Sequence, residues 1–220
     1  MTEHRTLLSC GEHAVLVEVG GLDEVLAFTD AVHKAVAGGV AGLAYVVDVV
    51  PAATTVLVIA DEEVPIAPVR QALATLSVAT SGQAPAIEHV IDIPVHYDGP
   101  DLAEVASLTG LSVPEIIAAH TGSQWRVAFC GFAPGFAYLS WGDPRLAVAR
   151  RREPRTSVPA GSVGLAGEFT AVYPRSSPGG WQLIGHTETI VFEVARQPPA
   201  LLQPGVAVRF VELSGANDGS

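Results

Sequence analysis

The chain has 220 residues, 49% of them hydrophobic and 16% charged, enough to bury the core of one large domain or two small ones and too apolar for a disordered chain. Its formal charge of −11 speaks against nucleic acid and anionic membranes as general partners. No apolar run reaches bilayer length, the opening MTEHRTLLSCGEH lacks a signal-peptide pattern, and Cys10 and Cys130 show no metal or redox spacing, so two ordinary buried thiols in a reducing cytoplasm are expected.

In chain order, TLLSC and AVLVEVG predict two strands joined by a hairpin turn at Gly11, Glu12 and His13. Leu22, Val25, Leu26, Thr29, Val32 and Val36 recur at helical spacing, and Gly38 and Gly39 stop that run. LAYVVDVVP and TTVLVIA are strand-like, with Pro51 at the turn between them. PIAPVRQALATLSVAT predicts a second helix with Pro68 near its start, and IEHVIDIPVHYD a strand that closes the unit. This order gives a small α/β sandwich over residues 1–90.

Two short helices follow, each with the spacing of a capping box: Asp101 with Glu104, and Ser112 with Glu115. From Gln124 the pattern is one of short strands between Gly/Pro corners: QWRVAFC, FTAVYP, WQLIG, TIVFEV and VAVRFVE. Residues 91–213 therefore predict a sandwich or barrel, so that the whole chain is α+β, and the polar tail 214–220 is expected to be disordered.

Within this half, RRREPRTSVPAGSVGLAG (150–167) places four arginines before a run of prolines and glycines, too many breakers for a core strand, and is read as an ordered loop system. Six of the twelve basic residues, Arg145, Arg150, Arg151, Arg152, Arg155 and Arg175, lie in one short segment of an acidic chain. Arg150 to Arg152 fit a solvated run. Arg155, inside the Pro/Gly stretch, offers a planar fork for a carboxylate or phosphate, or for an acidic partner surface.

Catalytic signatures for a nucleophile elbow, a zinc helix or a phosphate loop are absent, and the seven histidines form no close ligand pair, so no protein-bound metal is expected. Three long stretches, HTGSQWRVAFCGFAPGFAYL, PRTSVPAGSVGLAG and SPGGWQLIGHT, followed by LLQPGVAVRFVEL, resemble the KipI/PxpB family, also called allophanate hydrolase subunit 1, which supplies the B subunit of bacterial ATP-dependent 5-oxoprolinase. The resemblance runs from about Ile91 to Leu213 and implies a cyclophilin-like barrel after the N-terminal domain.

It also implies a hydrolase subunit that uses ATP with magnesium as cosubstrate, partnered by a subunit 2 of the PxpC/KipA type and a third subunit of the PxpA type, and inactive alone. Two other roles stay open: an inhibitor that binds a sensor histidine kinase, and a carboxyltransferase-related subunit of urea metabolism. Allophanate hydrolysis itself is disfavoured, since no Ser-Ser-Lys signature is present.

On the matching motifs, the expected catalytic residues are Arg155, His120 and His186. The expected substrate-binding residues are Gly131, Phe132, Pro134, Gly135, Phe136, Pro159, Gly161, Ser162 and Gln182. For His120 the alternative is a cap at a helix C-terminus. For Gly131 to Phe136 it is a barrel corner plugged by aromatic rings. Around Gly161 and Ser162, an open backbone turning N–H groups toward an anion is the expected feature. Gln182 is the expected amide contact, and Trp181 is read as core. The loop's Phe136, Tyr138 and Trp141 are expected to be exposed and covered by a partner. Three positions depart from the family pattern: His186 stands where relatives usually carry arginine, Phe169 for glutamine and Ala171 for glycine, which makes the expected pocket more apolar.

Overall fold

In the computed structural model, residues 5–78 and 90–213 are described, and the chain divides into two compact units, Met1–Ala84 and Pro85–Ser220. The expected tail 214–220, the last two residues of the second predicted helix and residues 87–89 of the next predicted strand lie outside the described residues.

The first unit carries a four-stranded antiparallel sheet in the order β1-β2-β4-β3, from β1 (Thr6–Ser9), β2 (Ala14–Glu18), β3 (Val46–Pro51) and β4 (Thr55–Ala60). Strict alternation on β2 and β4 points Val15, Val17, Val56, Val58 and Ala60 to one face, where they meet Val25, Phe28 and Val32 of α1 (Leu22–Ala37) and Val69 and Leu73 of α2 (Ile66–Thr75). Gly38 caps α1, as its position predicts. The two-layer α/β reading of this unit holds.

The second unit begins with β5 (Val90–Val95), which the sequence reading gave to the first. It pairs in parallel with the last strand, β13 (Ala207–Glu212), because Ile93 and Val95 bury into the second core. Between them lie α3 (Leu102–Thr109), α4 (Val113–Gly122), β6 (Trp125–Cys130), β7 (Ala137–Ser140), β8 (Arg155–Val158), β9 (Ser162–Ala166), β10 (Phe169–Val172), β11 (Ser177–Gly179) and β12 (Gln182–His186). Seven strands run in the order β12-β9-β10-β7-β6-β13-β5, while β8 and β11 form a separate two-stranded ribbon.

The ends of the large sheet meet where His96, just past β5, exchanges both backbone hydrogen bonds with His186 of β12, at 2.8 and 2.9 Å. The result is a nearly closed barrel. Two glycines make this seam possible: a Cβ on Gly185 would lie 2.3 Å from the His96 carbonyl oxygen, and one on Gly99 would lie 2.3 Å from the Leu183 oxygen.

Side chains alternate between two apolar clusters. Val163, Leu165, Val172, Ile184, Val208 and Phe210 join the main core with residues of α3 and α4. On the opposite face Phe136, Val158, Ala171, Tyr173, Trp181 and Leu183 form a second cluster, rich in edge-to-face aromatic contacts.

Several expectations change. The stretch read as a loop system contains β9, buried at every residue. Gly164 is no breaker there, since the room a Cβ would need is taken by Trp181 at 3.2 Å. TIVFEV is not a strand; only Phe192 makes an isolated bridge, to Ala200. Cys10 is exposed and Cys130 half-buried, and both are free thiols. Among the described residues no single helix is long and apolar enough to cross a membrane.

Candidate functional site

Segment 96–101 lies flat along the free edge of β12 and delivers Asp101 to the centre of the site. Its backbone N–H donates to the Leu183 carbonyl at 3.0 Å, and its Oδ2 accepts the Leu183 N–H at 2.7 Å. Its Oδ1 accepts from Arg151 Nη1 at 2.8 Å and from Arg155 Nη2 at 2.7 Å. The expected capping box at Asp101 is therefore absent: the carboxylate, 3% exposed, turns away from its own helix to hold two arginines. Ser112 and Glu115 do form theirs.

Arg151 and Arg155 keep 28% and 23% of their side-chain surface, so Arg151 is not part of a solvated run, and the Arg155 fork already engages an internal carboxylate. One carboxylate against two guanidiniums leaves positive charge in excess; Glu104, half-exposed, stands 3.6 Å from Arg151. Three buried polar atoms here lack a hydrogen-bond partner: Arg155 Nη1, Arg151 Nε and Gln182 Oε1. Gln182, which precedes Leu183 on β12, donates from Nε2 to the Ala149 carbonyl at 3.4 Å. Arg155 and Gln182 thus border one strip of structure, where residues 149–155 run beside 179–183.

The expected N–H cradle around Gly161 and Ser162 does not form. Gly161 N–H donates to the Tyr173 carbonyl at 2.8 Å and Ser162 N–H to that of Pro159 at 3.4 Å. Gly161 serves another purpose: its φ of +79° turns the chain into β9, and a Cβ would lie 2.3 Å from the Thr187 oxygen. Pro159 is exposed beside it, and Ser162 is buried as the first residue of β9. An anion would meet arginine side chains here, not backbone donors.

His120 is enclosed by its neighbours. It is 0% exposed, with Nδ1 2.7 Å from the Tyr97 hydroxyl and Nε2 2.9 Å from Thr170 Oγ1. Thr170 donates its own proton to the Gly164 carbonyl, so its oxygen accepts from His120 Nε2–H, and Nδ1 accepts from Tyr97. Burial lowers the imidazole pKa to about 3 and holds the Tyr97 hydroxyl far above the usual phenol range, with Glu212 adding repulsion. Both groups are neutral members of an internal relay.

His186 sits at the barrel seam, half-exposed, with Nδ1 2.8 Å from Asp98 and its ring stacked on His96 at 5.1 Å. Gly131 to Phe136 form the hairpin between β6 and β7, closed by the Gly131 N–H to the Phe136 carbonyl at 3.1 Å. Phe136 is buried against Tyr173 and Trp181, contrary to its expected exposure, and Trp181 is core as read. Phe132, at φ 64°, stands 62% exposed, Pro134 is exposed, and Gly135, at φ +80°, has Phe192 packed where a Cβ would be. Trp141 is exposed, and Tyr138 is partly so.

Two concavities, of about 110 and 260 Å³, lie elsewhere on the second unit. The smaller is walled by Trp125, Trp141 and Phe169, the larger by Glu115, Ser123 and Arg145; none of the expected catalytic or substrate-binding residues lines either, and Phe169 is the one departing position that does. Among the described residues no three His, Cys, Asp or Glu side chains gather as metal ligands. The sequence reading missed Asp101, Arg151 and Tyr173. The one signal for Asp101 was its place after the Gly/Pro turn in HYDGPD, which capping explained equally well.

The family "Carboxyltransferase domain, subdomain C and D" matches residues 5–202, nearly the whole chain. The chain belongs to this family. Among members of known name, the 5-oxoprolinase B subunit of Escherichia coli O157:H7 is 52% identical over 124 residues, and the protein of the same name from Bacillus subtilis is 49% identical over 128. These matches cover 55% and 57% of this chain and 57% and 53% of the relatives, so it spans a little over half the length of the curated relatives it matches.

Among solved structures, TTHA0988 is 34% identical with a TM-score of 0.72, over 94% of this chain and 41% of that one. The uncharacterized PH0987 of Pyrococcus horikoshii is 35% identical with a TM-score of 0.56, over 96% and 98%. The K. lactis urea amidolyase, at 18% identity and a TM-score of 0.73 over 97% of this chain and 15% of that one, shares the fold. The fold is therefore found in solved chains of similar and of greater length, and the KipI/PxpB resemblance of the three motifs agrees with the names of the curated relatives.

Proposed function

We propose that the chain is the B-type subunit of a 5-oxoprolinase, a cytoplasmic hydrolase complex that opens 5-oxoproline to glutamate. The observation that carries this reading is the identity of 45–52% to three relatives, each named as the B subunit of 5-oxoprolinase. Its partners are a subunit 2 of the PxpC/KipA type and a third subunit of the PxpA type.

A lactam is a poor acyl donor; ATP, with magnesium, supplies the phosphoryl group that turns its oxygen into a leaving group. This chain's contribution is positive charge held in place. Arg151 and Arg155, fixed by Asp101, stabilise anionic groups without reorganising during the reaction. The metal is left to the partners or to the nucleotide itself, and His120 serves the fold.

The test is reconstitution of the purified chain with both partner subunits, followed by 5-oxoproline-dependent ATP hydrolysis. Turnover that needs this chain is the expected result. An assembled three-component mixture without such turnover refutes the assignment.

A further inference from the structure

We propose that the arginine pair around Asp101 is a binding site for a small oxyanion, a phosphate or a carboxylate, held by Arg151 and Arg155. The choice of probes below rests on the proposed function; the site itself rests on geometry.

The arginines converge. Arg151 and Arg155 share one oxygen of Asp101, at 2.8 and 2.7 Å. Gly179 is the strand partner of Arg155, and the Tyr173 hydroxyl lies 2.3 Å from where a Gly179 Cβ would stand. Arg150 is exposed and next in sequence to Arg151. The main chain of Arg151 is fixed by its N–H to the Gly180 carbonyl at 2.8 Å. Two guanidiniums and the Tyr173 hydroxyl therefore lie beside the β8–β11 ribbon of a chain whose formal charge is −11.

The donors also exceed the acceptors. Asp101 is used on both oxygens, and Glu104 is the other carboxylate in reach of Arg151. Arg155 Nη1 and Arg151 Nε remain buried and without a partner, and so does Gln182 Oε1 on a residue 1% exposed. A charge run that served only solubility would keep its donors in water. Recessed donors suit a small anion that can enter between the side chains; the flat acidic face of a protein cannot reach them. Guanidinium forks match the paired oxygens of carboxylate and phosphate alike. The unpartnered Gln182 oxygen accepts an N–H, which a lactam acid carries together with its carboxylate.

The full chain is titrated at low salt, by calorimetry and by thermal shift, with inorganic phosphate, ATP and 5-oxoproline in separate experiments. At least one probe is expected to bind and raise the melting temperature, and added salt is expected to weaken it. Phosphate and ATP binding without 5-oxoproline assigns a phosphate site; 5-oxoproline alone assigns a carboxylate site. Arg155→Lys is expected to weaken binding about tenfold or more. Because that change also loosens the Asp101 contact, Arg151→Lys is tested beside it and the melting temperature of each variant is measured in the absence of ligand: both are expected to lose binding while still unfolding cooperatively. No binding by any probe at about 10 mM, or equal binding by wild type and both lysine variants, overturns the proposal. A chain that binds the oxyanion but adds nothing to turnover removes the subunit assignment and leaves this site standing.

Discussion

Asp101 holds three donors with one carboxylate, and its removal has consequences at each. Asp101→Ala leaves two half-buried guanidiniums and the Leu183 N–H without their acceptor. The expected cost is about 3 kcal/mol, the low end for a broken buried pair because both arginines keep some solvent. Asp101→Asn retains an oxygen for Leu183 N–H and is expected to lose about half as much, as urea unfolding midpoints will measure. His120 gives a pH prediction with a definite sign. Its folded pKa lies near 3 against an ordinary 6.5, so below pH 6.5 the unfolded chain takes up a proton that the folded chain refuses. The stability it contributes is complete above pH 6.5 and is lost as the pH falls from 6.5 toward 3. Between about pH 7 and pH 5 the loss amounts to about 2 kcal/mol, and His120→Gln is expected to lack that part of the slope. At this scale the sequence was legible where local chemistry decides: Ser112 with Glu115, and Trp181 as core. It was not legible for Asp101 or His120, whose partners lie 82 and 50 residues away.

Elements were readable wherever periodicity is uninterrupted, as in α1, β2, β4 and the hairpin they follow. β9 was lost because Ser162 and Gly164 look like a loop. Gly164 is small for a packing reason: Trp181 and the β12 backbone press against it. β5 was assigned to the wrong sheet because alternation gives a strand its faces but not its neighbours. The barrel seam supplies the test of this scale. Gly99→Ala and Gly185→Ala each push a methyl group to within 2.3 Å of backbone atoms and are expected to destabilise the second unit by about 3 kcal/mol or more. Gly131→Ala meets only the Tyr138 ring, at 3.9 Å, and is expected to stay within about 1 kcal/mol of wild type. Equal melting temperatures for all three variants would remove the seam from the account of the barrel.

For the molecule as a whole, the two compact units divide between Ala84 and Pro85, well before the change to strand-and-corner patterning at Gln124. The arginine segment was visible against the acidic background, but its charge partners were not. Phe132, Ile190 and Val194 stand well exposed on the second unit, and apolar side chains left in water favour a covering partner. The chain is accordingly expected to be silent alone and to elute with subunit 2 as a heteromer at micromolar concentration; a chain that stays monomeric in that mixture counts against the assembly. The most direct measurement is a drop-out experiment on the three-component mixture, following glutamate formed from 5-oxoproline and ATP consumed in the same samples. Glutamate is expected to appear in proportion to ATP used, to vanish when this chain is omitted and to return when it is added back. Glutamate formation that continues at full rate without the chain, or that the chain supports by itself, would contradict the account.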